Sequence, residues 1–244
     1  MKNLIVLGSG NAYNLDGRGH SGFLLDSKIM IDCGATVLLK ANQYKVDLSS
    51  LDVILITHFH GDHYSGIPFL LIFFKYVLKR TEKLMIVGPK NLKTQIQQLI
   101  EILFQKQEFP FDVEIIEISP NETWKYQNYT IQTFPINHKE ESIGYKIFDQ
   151  NHSFAFTGDS VLDEFVFKLM DGVDVGIMEV SFLRKEPESS HISLEEVMEN
   201  RAKIKTKRLF FNHLYDEIYH EIQKINHHTP GFGFPLYDGM VIEF

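Results

Sequence analysis

The stretch Thr57-His58-Phe59-His60-Gly61-Asp62-His63 constrains this chain more than any other. Leu51, Val53, Ile54, Leu55 and Ile56 lead into it, an apolar run of strand-forming residues broken only by Asp52. Such a run between turn signals reads as a buried strand, and a polar loop then starts abruptly. Three imidazoles and one carboxylate fall within residues 58–63, a dense set of metal ligands. Imidazole and carboxylate suit zinc, manganese and iron alike, so ligand type leaves the metal open. His58 and His60 alternate and can face one ion from an extended turn. Asp62 and His63 lie one step further and can face a second.

A length of 244 residues fits one large domain, so residues 1–244 are expected to fold as a unit. The net charge of -8 argues against a general affinity for long polyanions, since nucleic-acid binders usually present a basic face. A small anionic substrate held at a metal remains compatible with it. Cys33 is the single cysteine, which excludes an internal disulfide and fits a reducing compartment. Its expected role is that of a small buried residue. Met1 to Leu7 reads as a strand and not as a secretory signal. The most hydrophobic run, Ile67 to Phe74, contains Pro68 and is too short to span a bilayer. A soluble, cytoplasmic protein without membrane partners is therefore expected.

Along the chain, strands are expected at Lys2–Leu7, then as a hairpin at Phe23–Asp26 and Lys28–Asp32, with a long glycine-rich loop over residues 8–22. A helix is expected to open at Cys33-Gly34-Ala35. After the metal loop, Ser65 to Lys79 reads as a helix that is apolar almost all round, which must be buried by the core or by a second copy of the chain. That points to a homodimer. Strands at Lys83–Val87, Val113–Ile118 and Tyr129–Pro135 follow, with a helix over Leu92–Gln105 whose apolar residues recur at helical period. A hairpin (Ser142–Phe148, Ser153–Thr157), a helix over Val161–Met170 and a strand at Val173–Val180 come next. Ser193 with Glu196 forms a capping box. The pattern closes with a strand at Arg208–Phe211, a helix over Asp216–Ile225 and a strand at Met240–Phe244. His227-His228 and the residues after them read as a loop. Locally paired strands followed by strands alternating with helices occur twice, which suits four layers, two sheets inside and helices outside.

Further ligands are expected just past strand ends, where functional residues concentrate. His138 follows Phe134-Pro135-Ile136-Asn137, Asp159 follows the strand ending at Thr157, and His213 follows Leu209-Phe210-Phe211-Asn212.

With the His58-x-His60-x-Asp62-His63 loop, then His138, Asp159 and His213 in order, the chain resembles the metallo-β-lactamase fold superfamily over essentially its whole length. The resemblance implies an α/β, four-layer αββα sandwich. It implies His58, His60 and His138 on one divalent ion and Asp62, His63 and His213 on another, with Asp159 and a hydroxide bridging them. Zinc is the implied metal, with manganese as the alternative. Gly8-Ser9-Gly10, Gly158-Asp159-Ser160, Glu179-Val180-Ser181-Phe182 and Ser190-His191-Ile192-Ser193 are similar to the ribonuclease Z branch, where a glutamate orients a histidine. The matching residues are Glu179 and His191, and the implied catalytic set is Asp62, His191 and Glu179.

One departure matters. Ribonuclease Z enzymes carry a long Gly/Pro-rich arm that grips tRNA, and here the interval from Lys139 to Gly158 is only a hairpin. Small armless phosphodiesterases of this fold open cyclic nucleotides, phage enzymes that destroy immune signals among them. The stretch from Gly8 to Tyr13 and Gly17-Arg18-Gly19 resembles that group. The expectation is a two-metal phosphodiesterase in which a metal-bridging hydroxide hydrolyses a cyclic nucleotide or small cyclic oligonucleotide. The rivals are a ribonuclease Z that trims tRNA 3′ ends, a thioester or lactone hydrolase of the same fold, and a metal-binding scaffold without turnover. Arg18 and His20 are candidates to touch a phosphate or base.

Overall fold

The sheet order follows from a pattern that the chain runs through twice. In the computed structural model, which describes residues 1–13 and 16–244, two compact units form: Met1–Ile118 with Tyr237–Glu243, and Ser119–Leu236 with Phe244. Residues 14 and 15 of the expected glycine-rich loop lie outside the described residues.

The first unit comprises β1 (Asn3–Gly8), β2 (Gly22–Leu25), β3 (Ile29–Ile31), α1 (Val37–Gln43), β4 (Val53–Leu55), α2 (Gly61–Tyr64), α3 (Ile67–Tyr76), β5 (Leu84–Gly88), α4 (Leu92–Phe104), β6 (Val113–Glu117) and the returning β14 (Val241–Glu243). Its sheet runs β14-β1-β2-β3-β4-β5-β6. Pairing is antiparallel from β14 to β3 and parallel from β3 to β6. Asp26 and Ser27 both take positive φ (49° and 58°), the conformation of a tight type I′ turn that joins β2 to β3 with the correct twist. Ile54, Ile56, Leu70, Leu71, Phe74, Ile86 and Ile96 belong to its fully buried core.

The second unit comprises β7 (Thr123–Tyr126), β8 (Tyr129–Pro135), β9 (Ile143–Phe148), β10 (Ser153–Phe156), α5 (Glu164–Met170), β11 (Val175–Glu179), α6 (Leu194–Asn200), β12 (Arg208–Asn212), α7 (Asp216–His228) and β13 (Phe234–Pro235). Its sheet runs β13-β12-β11-β10-β9-β8-β7, antiparallel from β7 to β10 and parallel from β10 to β13. Ala155, Val166, Leu169, Met178, Val197, Phe211 and Ile222 are among its core residues. Asp163 caps α5 by accepting from Phe165 N and Val166 N, and Ser193 and Glu196 form the expected capping box of α6.

Several expected boundaries shift for local reasons. Helix α1 starts at Val37 and not at Cys33, because Cys33 N donates to His63 O (2.6 Å) and Gly34 N to Ser21 O (3.1 Å), so these donors serve neighbouring loops. Helix α5 starts at Glu164, since Val161 N donates to Asn137 O (3.1 Å) and the Asp163 cap sets the first turn. Strand β7 was not expected. It is short and amphipathic, and it pairs with β8 across a turn in which Gln127 has φ 50°. His227 and His228 lie in the last turn of α7, not in a loop. Helix α3 buries Ile67, Leu70, Leu71 and Phe74 on one face, while Phe69 (43%) and Tyr76 (55%) stay exposed. No helix among the described residues is long and apolar enough to cross a membrane.

Candidate metal and catalytic site

In the first unit, candidate ligands gather where antiparallel pairing gives way to parallel pairing, at the carboxyl ends of β3 and β4, the usual place for sites in such sheets. Ile31 pairs with Leu55, which brings Asp32 beside the start of the metal loop. Asp32 is fully buried and has φ 56°. A non-glycine residue in the left-handed region costs about 1–2 kcal/mol, so the surroundings must hold it there.

They do so with four hydrogen bonds to its carboxylate. Thr57 N (2.9 Å) and Thr57 Oγ1 (3.0 Å) donate to Oδ1, Ser21 Oγ donates to Oδ2 (3.2 Å), and His63 Nδ1 lies 2.6 Å from Oδ2. Thr57 Oγ1 is also 3.0 Å from His58 Nδ1. The threonine has one proton, given to Asp32, so it accepts from His58 Nδ1–H. Both histidines therefore carry their proton on Nδ1 and their lone pair on Nε2.

The rings of His58 and His60 are 4.7 Å apart, those of His58 and His63 4.2 Å, and Asp62 Oδ2 is 3.4 Å from His63 Nε2. The structure thus brings His58, His60, Asp62 and His63 into one cluster with Asp32 and Thr57 behind it.

Cys33, adjacent in sequence, is buried. Burial, and then the Asp32 charge, push its thiol far above the ordinary range. Thiols react as thiolates, so the native protein is expected to leave Cys33 unmodified by Ellman's reagent at pH 8 and to react fully once unfolded. Rapid modification of the folded chain would show the thiol to be accessible.

The second unit assembles its own cluster from the loops after β8, β10, β11 and β12. His138 Nδ1 donates to Ser190 O (3.0 Å), and its Nε2 is 3.9 Å from Asp159 Oδ2. His213 Nε2 is 3.5 Å from the same oxygen. His213 has φ 64°, a second strained residue among the candidate ligands. Its Nδ1 lies 2.7 Å from Ser181 Oγ, and that hydroxyl donates to Glu179 Oε2 at 2.6 Å. Glu179 Oε1 accepts from His191 Nδ1 (2.7 Å) and from Ser160 N (3.0 Å).

His191 stacks on His213 with centroids 5.4 Å apart and rings inclined by 13°. Burial pulls the His191 pKa down, but the Glu179 hydrogen bond and charge, with Asp159, outweigh it and raise the pKa above the usual histidine value. The expected Glu179–His191 pair is thus present, and Asp159, His138 and His213 lie beside it.

The donor chemistry fits divalent ions. His58, His63, His138 and His213 each engage Nδ1 in a hydrogen bond and leave the Nε2 lone pair as ligand, the arrangement that metal-ligating histidines adopt. Sequence reasoning did not single out Asp32, Thr57 or Ser181. A polar residue just past an apolar strand was the available signal for Asp32, and Ser181 stands in the segment already marked by Glu179.

The chain belongs to the beta-lactamase superfamily: the model of the Beta-lactamase superfamily domain matches residues 27–214. It is 32% identical to a ribonuclease Z of Lachnoclostridium phytofermentans over 151 residues, 60% of this chain and 48% of that protein. It is 34% identical to a ribonuclease Z of Agathobacter rectalis over 122 residues, 50% of this chain and 39% of that protein. The chain thus spans about half the length, or less, of these curated relatives.

Among solved structures, the metallo-beta-lactamase fold protein YhfI from Bacillus subtilis is similar with a TM-score of 0.83 at 22% identity, covering 100% of this chain and 99% of that one. The short form of human tRNase Z follows with a TM-score of 0.77 at 22% identity, covering 99% and 98%. The fold is the α/β metallo-β-lactamase fold that the sequence resembles.

Proposed function

We propose that this protein is a metal-dependent phosphodiesterase that holds two divalent ions on its His and Asp residues. Zinc is the favoured metal and manganese the alternative. His58, His60, Asp62 and His63 would supply ligands from the first unit, and His138, Asp159 and His213 from the second. Bound there, the ions supply Lewis-acid charge for phosphodiester oxygens and acidify water.

The observation that carries the reading is the His191–Glu179 contact of 2.7 Å beside Asp159 and His213. The carboxylate on Nδ1 fixes the ring and favours its imidazolium form, whose second proton, on Nε2, passes to a leaving oxygen as the P–O bond breaks. Asp62 takes the proton from the attacking water. A thioester hydrolase expels a thiolate and needs no such acid, which disfavours that rival.

The substrate in this reading is a cyclic nucleotide or small cyclic oligonucleotide. Between His138 and Asp159 the chain holds only β9, β10 and a turn closed by Asp149 N to His152 O (3.0 Å), so no long arm is available there for tRNA. The net charge of -8 points the same way. The ribonuclease Z relatives support phosphodiester chemistry and keep tRNA 3′-end cleavage as the second reading. The exposed apolar residues of α3 support a homodimer, and the single buried cysteine supports a cytoplasmic location.

The reading is tested by hydrolysis of bis(p-nitrophenyl) phosphate. Chelation should abolish turnover and zinc or manganese should restore it. Turnover that survives complete metal removal would refute the proposal.

A further inference from the structure

Each unit builds one buried carboxylate into a bridge between two imidazoles, one bonded directly and one through a hydroxyl. In the first unit Asp32 takes His63 directly (2.6 Å) and reaches His58 through Thr57 Oγ1. In the second, Glu179 takes His191 directly (2.7 Å) and reaches His213 through Ser181 Oγ.

The serine has a single proton and two candidate partners. A carboxylate can only accept, so the proton goes to Glu179 Oε2. The serine oxygen is then left to accept from His213 Nδ1–H, which forces the lone pair of His213 onto Nε2. Ser181 and Glu179 are both buried, at 5% and 1% exposure, so water cannot readily take over either bond.

We infer that Ser181 is a positioning residue that locks His213 in its metal-binding tautomer and ties it, through Glu179, to His191. This rests on the reading of His213 as a metal ligand. Glu179 thereby has two tasks, orienting the proton carrier with one oxygen and a ligand with the other. A residue that precedes both histidines in sequence would then set how firmly the second unit grips its ion.

The test is zinc titration of the purified protein against a competing chelator, with no substrate present. Ser181→Ala should weaken the ion that His213 holds by about 10–100-fold, the usual effect of losing a partner behind a ligand. Ser181→Thr, which keeps the hydroxyl, should restore most of it. In the double variant with Glu179→Gln, the combined loss should be smaller than the product of the separate losses, because both changes break one chain of bonds. Unchanged zinc affinity in Ser181→Ala, or losses that multiply, would overturn the inference.

Nitrogen-15 spectra of the metal-free wild-type protein decide the matter even if Ser181→Ala does not fold. Nδ1-protonated His213 supports the inference, and Nε2-protonated His213 overturns it. None of these readouts requires turnover, so a chain that binds zinc as described but cleaves no phosphodiester would refute the proposed function and leave this assignment standing.

Discussion

Replacing Asp32 by alanine is expected to lower the unfolding free energy of the metal-free protein by about 3–5 kcal/mol. The carboxylate is fully buried and accepts from Thr57 N, Thr57 Oγ1, Ser21 Oγ and His63 Nδ1. Its removal orphans these donors in a place closed to solvent, and each orphaned donor costs about 1–3 kcal/mol before relaxation. Against a total stability of about 5–15 kcal/mol, that is a large fraction.

The same substitution should weaken metal binding about 10–100-fold, since His58 and His63 lose the partners that fix their tautomers. Urea unfolding of the metal-free protein reads the first effect and chelator competition the second. A loss below about 1 kcal/mol with normal zinc binding would show that Asp32 does not organise the cluster.

The second large effect is on turnover. His191→Ala should retain its metals and its melting temperature and lose a factor of about 10²–10⁴ in kcat, the range for a positioned general acid. Glu179 keeps its hydrogen bonds from Ser160 N and Ser181 Oγ when the imidazole is removed, so its buried carboxylate is not left unpaired. Glu179→Gln should lose turnover as well, because an amide cannot replace a carboxylate that accepts from His191 and from Ser181. Loss of bound metal in His191→Ala would instead make His191 a ligand and sink its assignment as proton carrier.

The cluster of candidate ligands at residues 58–63 was legible in the sequence because its members are local. His58, His60, Asp62 and His63 stand within one short segment, and an apolar strand before them fixes where that segment must lie. His138, Asp159 and His213 were legible for a related reason, each following a strand whose apolar pattern marks its end. The repeat of hairpin and alternating segments also survived translation into structure, as two sheets with the same change from antiparallel to parallel pairing.

What escaped depends on register. Asp32 reads as the last residue of a hairpin strand, and only the pairing of Ile31 with Leu55 brings it to Thr57 and His63. Ser181 reads as one small polar residue among many, and its role follows from the pairing of Glu179 with Asn212, which sets it against His213. Strand β7 was hidden by polar residues on its exposed side, with Tyr126 as its one buried residue. The start of α1 was misplaced because Cys33 and Gly34 give their amide hydrogens to other loops, a tertiary demand that overrides local preference.

The central claim, a two-metal phosphodiesterase of small cyclic substrates, is tested most directly by product analysis on a substrate panel. Metal-replete protein is offered cyclic mononucleotides, cyclic dinucleotides, a linear dinucleotide and a 3′-extended tRNA. The account predicts ring opening of one or more cyclic compounds with the tRNA left intact. Accurate cleavage of the tRNA 3′ extension with every cyclic compound untouched would contradict it and establish the ribonuclease Z reading.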